Sequence, residues 1–411
     1  MTRSRLRLAF VSTLFLLPAD AGGKIRTRNV LRGMKGKAFE ITLVCPASAE
    51  QLRDWADELA GMADHVVAWQ PTRSLPRWTR AVDVLRDLPV NVAHGINDDA
   101  HRTVQQLLAA SPFDVVVFDF VHAAVLMPAG MTARSVCFTH NVEAEIFARH
   151  AEQASSLPMR WLWASQADKM RRFESAALRR FDRVIAVSER DGKQFARHYG
   201  VAAPQVIPTG VDLAFFGWQA PPPVDAAHPP TAVFTGSMDW AANIDGVEFF
   251  LAEVWPLVLA QQPGARFVVV GRNPPPALVA RSRATPGVHF TGFVDDVRTH
   301  VQAAHVFVIP LRVGGGTRIK AFEAMAMGCP MVSTVLGVEG LEVVPDVHLS
   351  VADSAADQAQ AILQLFGSDA LRQQRSQRAR ALVEQSFGHD QVSRVFERIC
   401  LDACATETRA A

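Results

Sequence analysis

The stretch His305-Val-Phe-Val-Ile-Pro-Leu-Arg-Val-Gly-Gly-Gly-Thr-Arg-Ile-Lys-Ala-Phe-Glu-Ala-Met-Ala-Met-Gly328 carries the reading of the whole chain. An apolar, strand-like run from His305 to Ile309 passes into three glycines. A helix follows from about Thr317 to Met327, with Gly328 as its natural stop. Gly314, Gly315 and Gly316 let a ligand come close to the backbone, and Thr317 is placed to cap the helix. Free N–H groups and the positive end of a helix dipole favour phosphate. Arg318 and Lys320 fall in the first turn, where the dipole alone disfavours cations. A diphosphate reverses that balance, since each charge-assisted hydrogen bond is worth ~1.5–3 kcal/mol. A solvated helix face, with Lys320 paired to Glu323 for ~0.2–0.5 kcal/mol, fits the periodicity equally well. Glu323 sits at the edge of the apolar stripe Ile319, Phe322 and Ala326. A carboxylate there is either half-buried and paired, or it accepts hydrogen bonds from neighbouring hydroxyls such as those of a ribose.

Outward from this stretch, short Val/Ile-rich runs alternate with amphipathic segments along the chain. Strands are expected at Ile41–Cys45, Asp114–Phe118, Ser135–Phe138, Arg183–Val187, Thr231–Phe234, Arg266–Val270 and Pro330–Ser333. Apolar throughout rather than alternating, they read as strands of parallel sheets covered by helices on both faces. Arg3, Arg5 and Arg7 before Leu8–Leu17 mimic a signal peptide, but Gly22-Gly23 and a helix-like stretch from Lys24 to Lys35 follow directly. The expectation is a buried first strand from Leu6 to Leu17. The segment 216–230 holds five prolines and cannot be regular structure. It divides the chain into an amino-terminal domain, 1–215, and a second α/β domain, 231–385, with 386–411 as a terminal helix crossing back to the first. Two doubly wound domains place ligands at the carboxyl ends of their strands, in a cleft between facing domains.

At 411 residues the chain is too long for one core and sufficient for two. Its net charge of +1 gives no global field for nucleic acid. The five cysteines include no Cys-x-x-Cys pair, which argues against zinc ribbons and thioredoxin-like chemistry and suits buried thiols in a reducing compartment. Cys400 and Cys404 could share a helix face but make a weak metal site. No run of ~20 apolar residues is present, so no spanning helix is expected.

Glu323-Ala-Met-Ala-Met-Gly-Cys-Pro-Met-Val-Ser-Thr334 with Gly337-Val-Glu-Gly-Leu341 resembles the donor-binding region of family 4 glycosyltransferases. These are retaining enzymes of GT-B fold, with two Rossmann-like doubly wound domains facing across a cleft. Pro18-Ala-Asp-Ala-Gly-Gly-Lys-Ile-Arg26 resembles the family's first Gly-rich loop. Ile207-Pro-Thr-Gly-Val-Asp212, Thr235-Gly-Ser-Met-Asp-Trp240, Gly271-Arg-Asn and Val288-His-Phe-Thr-Gly-Phe293 follow in the family's order. Thr139-His-Asn-Val-Glu143, Met238-Asp-Trp240 and Asn243 are similar to a bacterial subgroup tied to exopolysaccharide assembly.

The resemblance implies transfer of a sugar from a nucleotide-diphosphate donor to a glycan or lipid-linked acceptor in polysaccharide biosynthesis. It implies no cofactor and no metal. Glu323 would bind the ribose, and Arg318 and Lys320 would hold the diphosphate. Gly23, Gly236, Gly315, Gly316, Thr317, Arg272 and Glu339 would belong to the donor site. His140 matches the histidine that contacts the transferred sugar; His122 and Asn141 would lie toward sugar or acceptor. Two departures stand out. Gly315 occupies a position where the family commonly has a Glu. Ser237-Met-Asp-Trp240 replaces a segment that often carries an Arg and a Lys, which leaves the phosphate to Arg318, Lys320 and Arg272. A silent nucleotide-sugar binder and a GT-B epimerase are the alternatives; the absence of Gly-x-Gly-x-x-Gly disfavours an NAD enzyme. The expected location is the cytoplasm, at the inner face of the membrane if the basic and aromatic helix Leu157 to Arg180 binds an anionic surface.

Overall fold

The computed structural model describes residues 5–19, 22–71, 87–95, 97–154, 156–207, 210–313 and 319–405. The chain forms two compact units, Met1–Pro208 with Val392–Ala411, and Thr209–Gln391.

The first unit is built on seven parallel strands: β1 (Leu6–Ser12), β2 (Phe39–Pro46), β3 (His65–Trp69), β4 (Val115–Asp119), β5 (Arg134–Phe138), β6 (Arg183–Ala186) and β7 (Gln205–Val206). They lie in the order β3-β2-β1-β4-β5-β6-β7, with Leu8 opposite both Ile41 and Val115. Alternate residues of one strand feed opposite cores. Leu8 and Phe10 pack on one face of the sheet with Val115, Val117 and Phe138; Ala9 and Val11 pack on the other with Val116 and Phe118. This two-sided burial is why these strands read as unbroken apolar runs. The helices that bear on the site are α1 (Gly22–Met34), α2 (Glu143–Gln153), α3 (Leu157–Leu178) and α4 (Glu189–Tyr199).

The first strand ends earlier than expected, at Ser12 rather than Leu17. Its ladder stops where Ser12 pairs with Asp119. Leu16 and Leu17 are still buried in the same core, so the apolar run continues past the strand for packing alone.

The second unit holds six parallel strands: β8 (Thr231–Thr235), β9 (Arg266–Val270), β10 (Val288–Gly292), β11 (Val306–Ile309), β12 (Met331–Ser333) and β13 (Ser350–Val351), in the order β10-β9-β8-β11-β12-β13. Both sheets therefore reverse direction beside their own first strand, at β1/β4 and at β8/β11, where doubly wound folds bind ligands. Helices α5 (Ala241–Phe249), α6 (Ile319–Met327) and α7 (Asp369–Ser386) cover this sheet. The last helix, α8 (His389–Ala405), sends Val392, Phe396, Ile399 and Cys400 into the core of the first unit.

The Pro-rich segment does not divide the units; the divisions fall at Pro208/Thr209 and Gln391/Val392. Residues 216–223 are fastened to the second unit. Trp218 Nε1 donates to Ser376 Oγ at 2.9 Å and Gln219 N to the Met327 carbonyl at 3.1 Å. Arg380 takes the Phe216 carbonyl, Arg372 that of Pro222 and His305 that of Pro223. Prolines lack the N–H that regular structure needs but keep a carbonyl that a buried side chain can use. A composition shift thus marks the end of regular structure, not the edge of a domain.

Candidate active site

In the first unit the site residues gather at the carboxyl ends of β1, β4 and β5. Asp119, the last residue of β4, is fully buried. Its carboxylate accepts Ser12 Oγ at 3.0 Å, Thr27 Oγ1 at 3.0 Å and the Nε2 of His140 at 2.8 Å. The other ring nitrogen, Nδ1, lies 2.9 Å from an Arg26 guanidinium nitrogen. Arginine can only donate, so Nδ1 is the acceptor and Nε2 carries the proton given to Asp119. His140 is therefore a neutral imidazole of defined tautomer. Burial lowers its pKa, helped by Arg26 and opposed by Asp119. Arg26 is buried too, its pKa lowered to about 10 by desolvation against the pull of Asp119 and Asp191.

Phe120 follows Asp119 at φ +65°, a conformation that costs a non-glycine residue ~1–3 kcal/mol. Its ring stacks on His140 with centroids 4.0 Å apart. Gly23, in the first turn of α1, is where that ring meets the backbone: a Cβ there would stand 2.6 Å from Phe120 and 3.5 Å from His140 Nδ1. The structure thus brings Gly23 and His140 together, but with both ring nitrogens of His140 already engaged. His122 lies in the 3-10 turn Val121–Leu126. Its Nε2 is buried without a hydrogen-bond partner among the described residues, and burial lowers its pKa to about 4. Asn141 Nδ2 donates a long hydrogen bond, 3.4 Å, to Glu143 Oε1.

In the second unit Lys320 reaches back from α6 to the end of β8. Its Nζ donates to Asn243 Oδ1 at 3.0 Å, lies 4.3 Å from the centroid of the Phe234 ring, and would be 2.8 Å from a Cβ on Gly236. Asn243 in turn donates to the Ser237 carbonyl at 2.8 Å. The loop after β8 lacks a cation of its own in Ser237-Met-Asp-Trp240, and the amine of Lys320 is delivered to it from another element. Glu323, one turn along α6, is half-buried, and among the described residues no hydrogen bond reaches its carboxylate. Burial raises its pKa to about 7, with Lys320 pulling the other way.

Arg272 is held at the end of β9, its Nε donating to Ser237 Oγ at 3.1 Å with Asp239 3.9 Å away. Asp239 also accepts from Ser237 and Asn273, and these bonds hold its pKa below the usual range. Glu339 is exposed and, with Leu311, Arg312, Thr334, Val335, Leu336 and Asp353, lines a cavity of about 380 Å³ at the ends of β11 and β12. Gly315, Gly316, Thr317 and Arg318 lie outside the described residues. Among those described, no group of three or more His, Cys, Asp or Glu could hold a metal ion. Cys400 is buried and Cys404 partly so.

Sequence reasoning missed Ser12, Thr27, Arg26 as a histidine partner, and Asp119. The one available signal was an aspartate ending an otherwise apolar buried strand.

The Glycosyltransferase Family 4 model matches residues 21–215, and the model Glycosyl transferases group 1 matches residues 229–368. No curated protein matches the chain. Among solved structures, sucrose-phosphate synthase from Thermosynechococcus elongatus shares 17% identity at a TM-score of 0.66, covering 97% of this chain and 99% of that one. Anabaena HepE in complex with UDP and glucose shares 14% identity at 0.63, covering 98% and 100%. A variant of S. aureus TarM in complex with fondaparinux, α-GlcNAc-glycerol and UDP shares 10% identity at 0.66, also covering 98% and 100%. The two matched models follow one another along the two doubly wound units, and the chain belongs to the family 4-type glycosyltransferases of GT-B fold.

Proposed function

We propose that this glycosyltransferase uses a nucleoside-diphosphate hexose, retains the configuration at the anomeric carbon, and acts on a glycan or lipid-linked acceptor in exopolysaccharide or cell-envelope polysaccharide synthesis. One observation carries the donor reading: a single helix, α6, presents the Lys320 ammonium beside Gly236 and, one turn on, a carboxylate without a hydrogen-bond donor among the described residues. Those are the two complements of a nucleoside diphosphate. The ammonium meets the phosphates, and the ribose diol supplies the donors that Glu323 lacks. HepE was solved with UDP and glucose, and TarM with UDP and α-GlcNAc-glycerol, which supports a nucleotide sugar on one side and a hydroxyl acceptor on the other.

In this reading the leaving diphosphate is stabilised by Lys320 and Arg318, with Arg272 released from Ser237 to assist. Electrostatics and positioning carry the catalysis. The acceptor hydroxyl attacks from the face the phosphate leaves, and a phosphate oxygen takes its proton. His140 acts as the buried organiser of the loops around Gly23 and Phe120, because its two ring nitrogens are spent on Asp119 and Arg26. His122 and Asn141 face sugar or acceptor. The exopolysaccharide assignment rests on the subgroup pattern at Thr139–Glu143. A cytoplasmic protein at the inner membrane face is favoured by the exposed start of α3, where Leu157 is 78% and Trp161 75% exposed beside Arg160. Among the described residues no helix is long and apolar enough to cross a membrane.

Calorimetric titration of UDP and GDP into wild type and Glu323→Ala tests the donor reading. Micromolar affinity for one nucleotide, lost in the variant, is expected. Folded protein that binds neither overturns it. Binding without turnover of any nucleotide sugar is the outcome for a silent binder, and interconversion of the free donor that for an epimerase.

A further inference from the structure

Helix α2 starts two residues after Asn141, and among the described residues no neighbouring side chain caps it. Its N-cap, Val142, has no side-chain acceptor. Helix α4, by contrast, is capped by its own Ser188. The first two N–H groups of α2 are satisfied from a distance, by Glu174 in the last turns of α3. Its Oε1 accepts the Glu143 N–H at 2.8 Å, and its Oε2 the Ala144 N–H at 3.0 Å. Oε2 also accepts the Tyr199 hydroxyl, from the end of α4, at 2.9 Å. Glu174 is fully buried. A lone buried carboxylate is costly, and these three donors are what offset it.

A short polar cap would satisfy the same N–H groups at lower cost. What the remote carboxylate adds is a tie between α2, α3 and α4 at the back of the β5–α2 loop. The front of that loop is held by Thr139, whose N–H and hydroxyl both reach the Ile185 carbonyl, and by His140 in its pair with Asp119. Between the two anchors lies Asn141.

We propose that Glu174 is a positioning residue whose carboxylate holds the β5–α2 loop in its working geometry, and that protonation of this carboxylate releases the loop. This rests on the reading of that loop as substrate-facing. A protonated carboxyl keeps one good acceptor oxygen and turns the other into a donor. It can no longer accept fully from two N–H groups and a hydroxyl at once, so the Tyr199 hydroxyl must turn to accept from it and a first-turn N–H of α2 is left with a weaker acceptor. Burial raises the pKa of Glu174 to about 7, against the lowering effect of its three hydrogen bonds and with Glu143 adding repulsion. The other charged and titratable groups around it are Glu145 on α2, Arg171 on α3, Tyr199 on α4 and the buried thiol of Cys137 on β5. His122, in the turn packed against α3, stays neutral through this window because its pKa lies near 4.

The test has two readouts. The first is hydrogen–deuterium exchange of the peptide covering Asn141 to Phe147 in the full chain, corrected for intrinsic rates, at about pH 6 and pH 8. Protection is expected to fall by on the order of tenfold at the lower pH in wild type. It is expected to be low and independent of pH in Glu174→Gln. Tyr199→Phe removes one bond to the charged form and should move the midpoint to higher pH; it also keeps the test open if Glu174→Gln fails to fold. Equal protection at both pH values in wild type, or an unmoved midpoint in Tyr199→Phe, overturns the proposal. The second readout is turnover with the nucleotide sugar that titration selects. Glu174→Gln should lower kcat on the order of 10- to 100-fold with donor KM unchanged, and flatten the acid limb of the pH profile. An unchanged kcat refutes the functional half. Exchange needs no substrate, so failure of the glycosyltransferase reading leaves the first readout standing.

Discussion

The imidazole of His140 is clamped between Asp119, 2.8 Å from Nε2, and Arg26, 2.9 Å from Nδ1, so it is a neutral ring with no free nitrogen. Its pKa is lowered by burial from an ordinary value of 6.5. A lowered histidine contributes stability that is present above the unfolded value and lost as pH falls through the folded one. The first unit should therefore weaken in acid below about pH 6.5. His140→Gln should remove that part of the dependence, as urea denaturation at a series of pH values would show.

Asp119→Ala leaves Ser12, Thr27 and His140 without their common acceptor. Breaking a buried charged network of this kind costs about 3–5 kcal/mol. The urea midpoint of the first unit should fall accordingly. A loss under about 1 kcal/mol would mean that the network is not closed.

Gly236→Ala puts a methyl 2.8 Å from Lys320 Nζ and 2.7 Å from Asn243 Nδ2. The lysine must move, taking its charge from the end of β8. Affinity for the cognate nucleotide should drop about tenfold or more, one charge-assisted hydrogen bond being worth ~1.5–3 kcal/mol. Circular dichroism should be unchanged.

Glu323 has its pKa raised to about 7, so near neutrality a large share is protonated in the free protein. Ribose hydroxyls donate to the ionised form, and binding should therefore expel a proton. Nucleotide affinity should weaken as pH falls below about 7 and level off above it. Calorimetry in buffers of different ionisation enthalpy would detect the released proton. Glu323→Gln should show neither the release nor the slope.

Arg372 is buried and donates to the carbonyls of Leu365, Phe366 and Pro222 and to Asp369. Arg372→Ala leaves three carbonyls short of a donor and detaches the Pro-rich segment from α7. The second unit should lose about 3–5 kcal/mol in denaturation, and cleavage by a protease between 216 and 230 should accelerate.

Trp161→Ser with Leu157→Ser removes the most exposed apolar surface of α3. If the protein works at a membrane, co-sedimentation with vesicles of anionic phospholipid should be lost in the variant and retained in wild type. Equal pelleting of the two would count against that surface.

What the sequence by itself determined is everything that depends on local pattern. Val115 to Phe118 is apolar at every position, as a short strand buried on both faces requires. Such strands alternate with helices along the chain, and that order decides a pair of doubly wound sheets. Four strands escaped notice: β7 and β13 because two residues carry no period, and β3 and β10 because they are only partly buried and so not apolar throughout. The tertiary structure alone decided who meets whom. Asp119 and Arg26 are far apart in the chain, and nothing in their neighbours says that they grip one imidazole. Nor does Glu174 look from its helix like the cap of another, or Lys320 like the cation of a loop more than eighty residues earlier. Periodicity records which face of an element is buried, because burial acts on each residue separately. A hydrogen bond across the fold depends on two side chains at once, and that pairing exists only after the strands have set their register.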